Sequence, residues 1–187
     1  MGRISKMSQQ NSLARQNWHT DCESAVNKQI DMEYYASHYY HLLYCFFRRD
    51  TVALENIANF FKDSSVEERD HAEKFMDYQT MRGGHVELEG VAKINLNLDE
   101  NNIPEAVMDA FVAALDLEKT VNENLLNLHK IGTEHDDPQF TDFLEGEYLK
   151  EQVEANYELA KVITQLKLIN GNGHGIWQFN KHFGEKS

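Results

Sequence analysis

Glu68 and His71 stand three residues apart in the stretch Val66-Glu67-Glu68-Arg69-Asp70-His71-Ala72-Glu73. On an α-helix that spacing puts both on one face, one turn apart, where they can hold one metal ion together. The pair occurs by chance on many solvated helices, so its meaning depends on partners. Three other helical segments each place a carboxylate or amide near mid-length of an otherwise apolar stripe. These are Glu33, with Tyr40 two turns on, in the first, Glu118 in the third, and Glu151 with Gln152 in the fourth. A buried carboxylate without a partner is costly or stays protonated, and several converging on one place are best explained by a cation. Oxygen donors with a single imidazole suit Fe(II), Mn(II) or Zn(II), whereas copper-type sites want Cys or Met. Two ions sharing Glu68 as a bridge would neutralise the cluster. The alternative for each acid taken singly is a solvated position at a bundle edge.

The elements that must position these residues follow from apolar spacing. Apolar residues recur at steps of three and four, no alternating β-branched run occurs, and the two prolines, Pro104 and Pro138, stand where helices begin, so the chain is all-α. Thr20 or Asp21 caps a first helix with Ile30, Tyr34, Ser37, His41 and Tyr44 inside, running to about Arg48. A second runs from about Val52 to Arg82 and ends at Gly83-Gly84. Residues 85 to 102 show no helical face. A connection that long can cross the length of a bundle and set the third helix parallel to the second. Asn102 and Pro104 open that third helix, Gly132 closes it, and Asp137-Pro138 starts a fourth that continues to about Ile169. A short fifth helix covers about 174–183. The fold expected is a four-helix bundle with one long crossover between the second and third helices, forming a single domain over 1–187 behind a polar tail of about 18 residues.

Composition narrows the function. A net charge of −13, from 31 acids against 18 Lys and Arg, argues against binding a phosphate backbone and suits a protein that attracts cations. No apolar run approaches the roughly 18 residues of a membrane helix, and no apolar stretch follows the start as in a secretory signal. Cys22 and Cys45, the two cysteines, are too few for a disulfide framework, so a reducing, cytoplasmic compartment is expected. Arg3, Lys6 and Arg15, with no acid before Asp21, fit a mobile tail; a transit peptide is the alternative.

The stretches Ala14-Arg15-Gln16-Asn17-Trp18-His19, Glu33-Tyr34-Tyr35-Ala36-Ser37, Glu67 through Lys74, Arg82-Gly83-Gly84, Leu117-Glu118-Lys119, Asp137-Pro138 and Tyr148 through Val153 span nearly the whole chain. Together they resemble those of an animal ferritin of the catalytic heavy type. The resemblance implies a shell of twenty-four identical or mixed subunits that oxidises Fe(II) with O2 and stores the ferric product. It also implies that Glu33, Glu68 and His71 hold one iron, Glu68 and Glu118 the second, and Gln152 and Tyr40 the adjoining shell. The ions are turnover substrates, two per subunit. Light-type subunits carry lysine at the position of Glu68, and that loss has not happened here.

Other acids acquire roles through the same resemblance. Glu67, Asp70 and Glu73 match acids that face the storage cavity and seed mineral; by spacing alone they are a solvated helix face. Asp142 and Glu145 match the lining of threefold entry channels, and His129 a channel-mouth histidine; by physics alone the two acids suit the dipole at a helix start. His174, Gln178 and His182, spaced by four, depart from the leucines that vertebrate heavy chains place there, which would make a fourfold channel wetter. The tail before Ala14 and the loop 91–102 exceed the usual family length. Two further readings differ in class: a structural shell subunit with weak oxidation, and a small di-iron oxidase acting on an organic substrate. The last usually needs a second Glu-x-x-His, where this chain has Glu151-Gln152-Val153-Glu154.

Overall fold

The computed structural model describes residues 12–184. Its elements are α1 (Thr20–Phe47), α2 (Glu55–Met81), α3 (Ile103–Glu134), α4 (Pro138–Leu144), a π-helical turn (Glu145–Leu149), α5 (Lys150–Ile169) and α6 (Gly173–His182). With α4, the π turn and α5 forming one long rod, the expected four-helix bundle and short fifth helix are present, each boundary within a few residues of its expected place.

Three local details differ from expectation. The N-cap of α1 is His19, whose Nδ1 accepts from the Asp21 backbone N–H at 3.1 Å, so an imidazole fills the role expected of Thr20 or Asp21. The buried face of α1 is Ile30, Glu33, Ala36, Ser37, Tyr40, Leu43 and Phe47, and His41 lies exposed. The expected stripe runs through aromatic residues toward the exposed side, where Tyr34 and Tyr44 are only half-buried. The fourth rod was expected to be uninterrupted and contains the π turn instead. Its buried residues Phe140, Leu144, Tyr148 and Gln152 are separated by three successive steps of four. Each such step overshoots a full turn of α-helix by about 40°, so three would swing Gln152 roughly 120° off the core face. One wider turn absorbs the excess.

The crossover between α2 and α3 lies along α1. Asn27 Nδ2 donates to the His85 carbonyl at 3.0 Å, the Glu89 N–H donates to Asp31 at 3.1 Å, and Arg49 pairs with Glu100 at 2.7 Å. Residues 85 to 100 therefore pass from one end of α1 to the other, and α3 starts beside the start of α2, parallel to it. Leu96 and Leu98 pack on the core from this segment.

Residues 1–11 of the expected tail lie outside the described residues, and its last part is tied down. Arg15 pairs with buried Glu23 at 2.5 Å, and buried Trp18 donates from Nε1 to Gln79 Oε1 at 3.1 Å. The Arg82 guanidinium lies 4.6 Å above the Trp18 ring and meets Asp137 at 2.6 Å, joining the ends of α2, α3 and α4. Gly83 is required here: its φ is +75°, and a Cβ would stand 2.8 Å from the Arg15 nitrogen. At the opposite end, Leu54 gives α2 no side-chain cap. Asn180 of α6 supplies one, its Oδ1 accepting from the Asn56 and Ile57 N–H groups at 3.1 Å each.

Candidate metal centre

Midway along the bundle, four rods turn polar groups inward. α1 contributes Glu33 and Tyr40, α2 contributes Glu68 and His71, α3 contributes Glu118, and α5 contributes Gln152 just beyond the π turn; all six are buried. They surround and adjoin a cavity of about 270 Å³ whose lining includes Tyr40, Glu67, Glu68, His71, Glu118, Glu151 and Gln152.

Donors and acceptors are arranged unevenly. Tyr40 Oη donates to Glu118 Oε1, and Gln152 Nε2 donates to Glu118 Oε2 at 3.0 Å. Gln29 Nε2 donates to Glu33 Oε1 at 2.7 Å. His71 Nδ1 lies 3.3 Å from Glu68 Oε2, and its Nε2 lies 3.3 Å from Glu151 Oε2. Glu33 Oε2, Gln152 Oε1 and Gln29 Oε1 are buried without a hydrogen-bond partner. Orphaned acceptors, each costly where water is excluded, are what a cation would satisfy. Ligand atoms of Glu33, Glu68 and His71 lie within 4.8 Å of one another, and so do those of Glu67, His71 and Glu151.

Electrostatics give the same picture. Burial, then the neighbouring Glu68 carboxylate, push the Glu33 carboxyl well above the ordinary carboxylate range. Burial, then Glu118, do the same to Glu68. Glu68 stands between two carboxylates, Glu33 and Glu118, with both of which it interacts. Burial and the adjacent Glu118 and Glu68 hold the Tyr40 hydroxyl far above its usual pKa, which keeps it a hydrogen-bond donor.

The structure thus brings Glu33, Tyr40, Glu68, His71, Glu118 and Gln152 together. Glu67, Asp70 and Glu73 are all exposed, but they do not form one separate face: Glu67 turns back to line the same cavity and hydrogen-bonds Glu151. Of the three residues matched to a threefold channel, His129 and Glu145 meet at 2.8 Å, and Asp142 is exposed one turn earlier. His174, Gln178 and His182 are exposed on α6. Sequence reasoning missed Gln29, which orients Glu33, and Tyr148, whose ring meets His71 edge-on and whose hydroxyl donates to the His71 carbonyl at 3.1 Å. Gln29 had a readable signal, since it stands one turn before Glu33 on the same face.

A bundle with one long crossover and an interior set of carboxylates, one imidazole and one amide defines a class of helical metal-handling proteins. Residues 23–169 match the Ferritin family, described as a ferritin-like domain. The chain is 49% identical over 178 residues to a ferritin middle subunit of Aquarana catesbeiana, covering 94% of this chain and 98% of that protein. It is 48% identical over 170 residues to a chloroplastic ferritin of Malus baccata var. xiaojinensis, covering 91% of this chain and 67% of the relative. Against ferritin-1, chloroplastic, of Brassica napus the identity is also 48%, covering 91% and 66%. The chain therefore spans about two thirds of the length of these plant relatives. It belongs to the ferritin family.

Proposed function

We propose that this protein is an iron-storage ferritin with its own ferroxidase centre, resembling the animal heavy type. It takes Fe(II) and O2 as substrates and keeps the ferric product inside a shell of twenty-four subunits, identical or mixed with other ferritin chains, in the cytoplasm. The observation that carries the reading is the buried group Glu33, Glu68 and His71, with its orphaned Glu33 oxygen, set beside Glu118 and Gln152.

Each residue has a physical task. Glu33, Glu68 and His71 bind one Fe(II), and Glu68 with Glu118 binds the second. Glu68 is the shared group because its carboxylate neighbours those of both Glu33 and Glu118. Two Fe(II) ions held together give the two electrons that take one O2 to hydrogen peroxide, without releasing a one-electron product. Binding displaces protons held by Glu33 and Glu68, while Tyr40 and Gln152 hold Glu118 in place from either side. A neutral amide at 152 binds weakly and leaves the oxidised ion free to depart. Glu67 and Glu151 at the cavity mouth receive it, and Asp70 and Glu73 continue the acidic surface along α2 toward mineral nucleation. Asp142, Glu145 and His129 serve iron entry. No helix among the described residues is long and apolar enough to cross a membrane.

The test adds Fe(II) to the metal-free protein in air, following ferric absorbance alongside gel filtration. A large particle that oxidises Fe(II) far faster than buffer is expected. Glu68→Lys with His71→Gly should leave the particle size unchanged and slow the fast phase by at least about tenfold, the rate equivalent of roughly 1.4 kcal/mol. Unchanged initial rates in that variant would place the chemistry elsewhere, and a small particle would remove the shell.

A further inference from the structure

Far from the buried centre, where α1 begins and α3 ends, two histidines and an aspartate meet at the surface. The His19 and His135 rings stack with centroids 3.6 Å apart and planes 14° from parallel. His135 Nε2 lies 3.1 Å and His19 Nδ1 lies 3.4 Å from the same oxygen, Asp21 Oδ2. The three side chains come from segments more than a hundred residues apart in sequence, 114 between Asp21 and His135. They are held in register from outside the cluster: Asn17 Nδ2 donates to the Asp136 carbonyl at 3.3 Å, so the chain just before His19 is bonded to the residue just after His135.

We propose that His19, Asp21 and His135 form a second metal site, distinct from the iron centre, which takes a divalent ion of intermediate softness such as Zn(II) or Cu(II). Three observations argue for it. The donor set is two imidazoles and one carboxylate, which suits zinc and copper better than hard ions, whereas the buried centre offers one imidazole among oxygens. The spacing fits: an ion with bonds of about 2.0 to 2.1 Å has neighbouring tetrahedral donors about 3.3 Å apart, and the nitrogen-to-oxygen separations here are 3.1 and 3.4 Å. The lone pair is also placed. His19 Nδ1 accepts from the Asp21 N–H, so the ring proton is on Nε2 and Nδ1 carries the lone pair that an ion would take. Occupancy requires the rings to splay from their stack, the ion to replace the hydrogen between His135 and Asp21, and His19 Nδ1 to turn from the backbone N–H to the ion. Water completes the coordination, because all three residues are at least partly exposed. The bound ion would staple the start of α1 to the α3–α4 turn.

Cu(II) titrated into the metal-free, full-length protein and read by electron paramagnetic resonance distinguishes this site from the iron centre. A signal split by two imidazole nitrogens is expected at one ion per chain. His135→Ala should abolish that splitting and weaken Zn(II) binding at this site at least tenfold by calorimetry. His19→Asn should do the same while keeping a good helix cap. Ferrous oxidation should be unaffected in both. A two-nitrogen signal that survives in both variants, or that never forms in the parent protein, would overturn the site.

Discussion

Glu33 is fully buried, hydrogen-bonded on one oxygen by Gln29 and left without a partner on the other. That single side chain gives the metal-free protein a pH dependence whose sign can be worked out. Its folded pKa, like that of Glu68, is raised above the ordinary value by burial and by a neighbouring carboxylate. Between the ordinary carboxylate range and the raised folded value, the folded chain binds more protons than the unfolded one, so unfolding free energy falls as pH rises. The metal-free protein should therefore gain stability on mild acidification through that window, the contribution being complete below the unfolded pKa. Urea midpoints across pH would show it, and Glu33→Gln with Glu68→Gln should flatten the slope; equal slopes in parent and variant would refute the assignment. At this scale the sequence disclosed residue types and spacings, hence Glu33, Glu68, His71, Glu118 and Gln152. It did not disclose hydrogen-bond partners such as Tyr148 on the His71 carbonyl, because those depend on which rods lie side by side. His19 escaped as a cap because the position was assigned by ranking Ser, Thr, Asp and Asn.

The π turn at Glu145–Leu149 shows how one element sets the geometry of residues beyond its own span. Upstream of it, Phe140 and Leu144 fill the core beside Trp18 and Tyr78; downstream, Gln152 reaches Glu118. Both halves face inward only because the wide turn removes the drift of three successive four-residue steps. Deleting exposed Gly146, where an added Cβ would meet nothing within 4 Å, would change those steps to four, three and four, the spacing of an ordinary helix. We expect the deletion to fold with stability changed by less than about 1 kcal/mol, the scale of alterations away from the core, and to keep Gln152 inward. Urea unfolding and the fast phase of iron oxidation report the two parts; collapse of either would mean that the bulge has a role beyond phase. The other rods were readable directly, since their apolar residues return every three or four positions. The π turn was written in the same spacing, but a run of fours also fits a helix to the eye unless the angular drift is summed.

Across the whole molecule, charge and topology act together. The net charge of −13 should raise the local concentration of Fe(II), so initial oxidation should slow severalfold as ionic strength rises from about 0.01 to about 0.1 M and the screening length falls from roughly 30 to roughly 10 Å. A rate independent of inert salt would show that the acidic surface does not steer iron. The crossover was readable from its length and lack of a helical face, whereas its hydrogen bonds to Asn27 and Asp31 were not, because an exposed polar side chain carries no mark of the backbone it will meet. The cap that Asn180 places on α2 adds a dimension of time. α2 holds both Glu68 and His71, yet the side chain that closes its first turn lies 124 residues further along the chain than Asn56. During synthesis, α2 must wait with its leading N–H groups open to water while α3, α4 and α5 are made. The order of manufacture thus leaves the helix that carries Glu68 and His71 among the first rods translated and among the last to be finished.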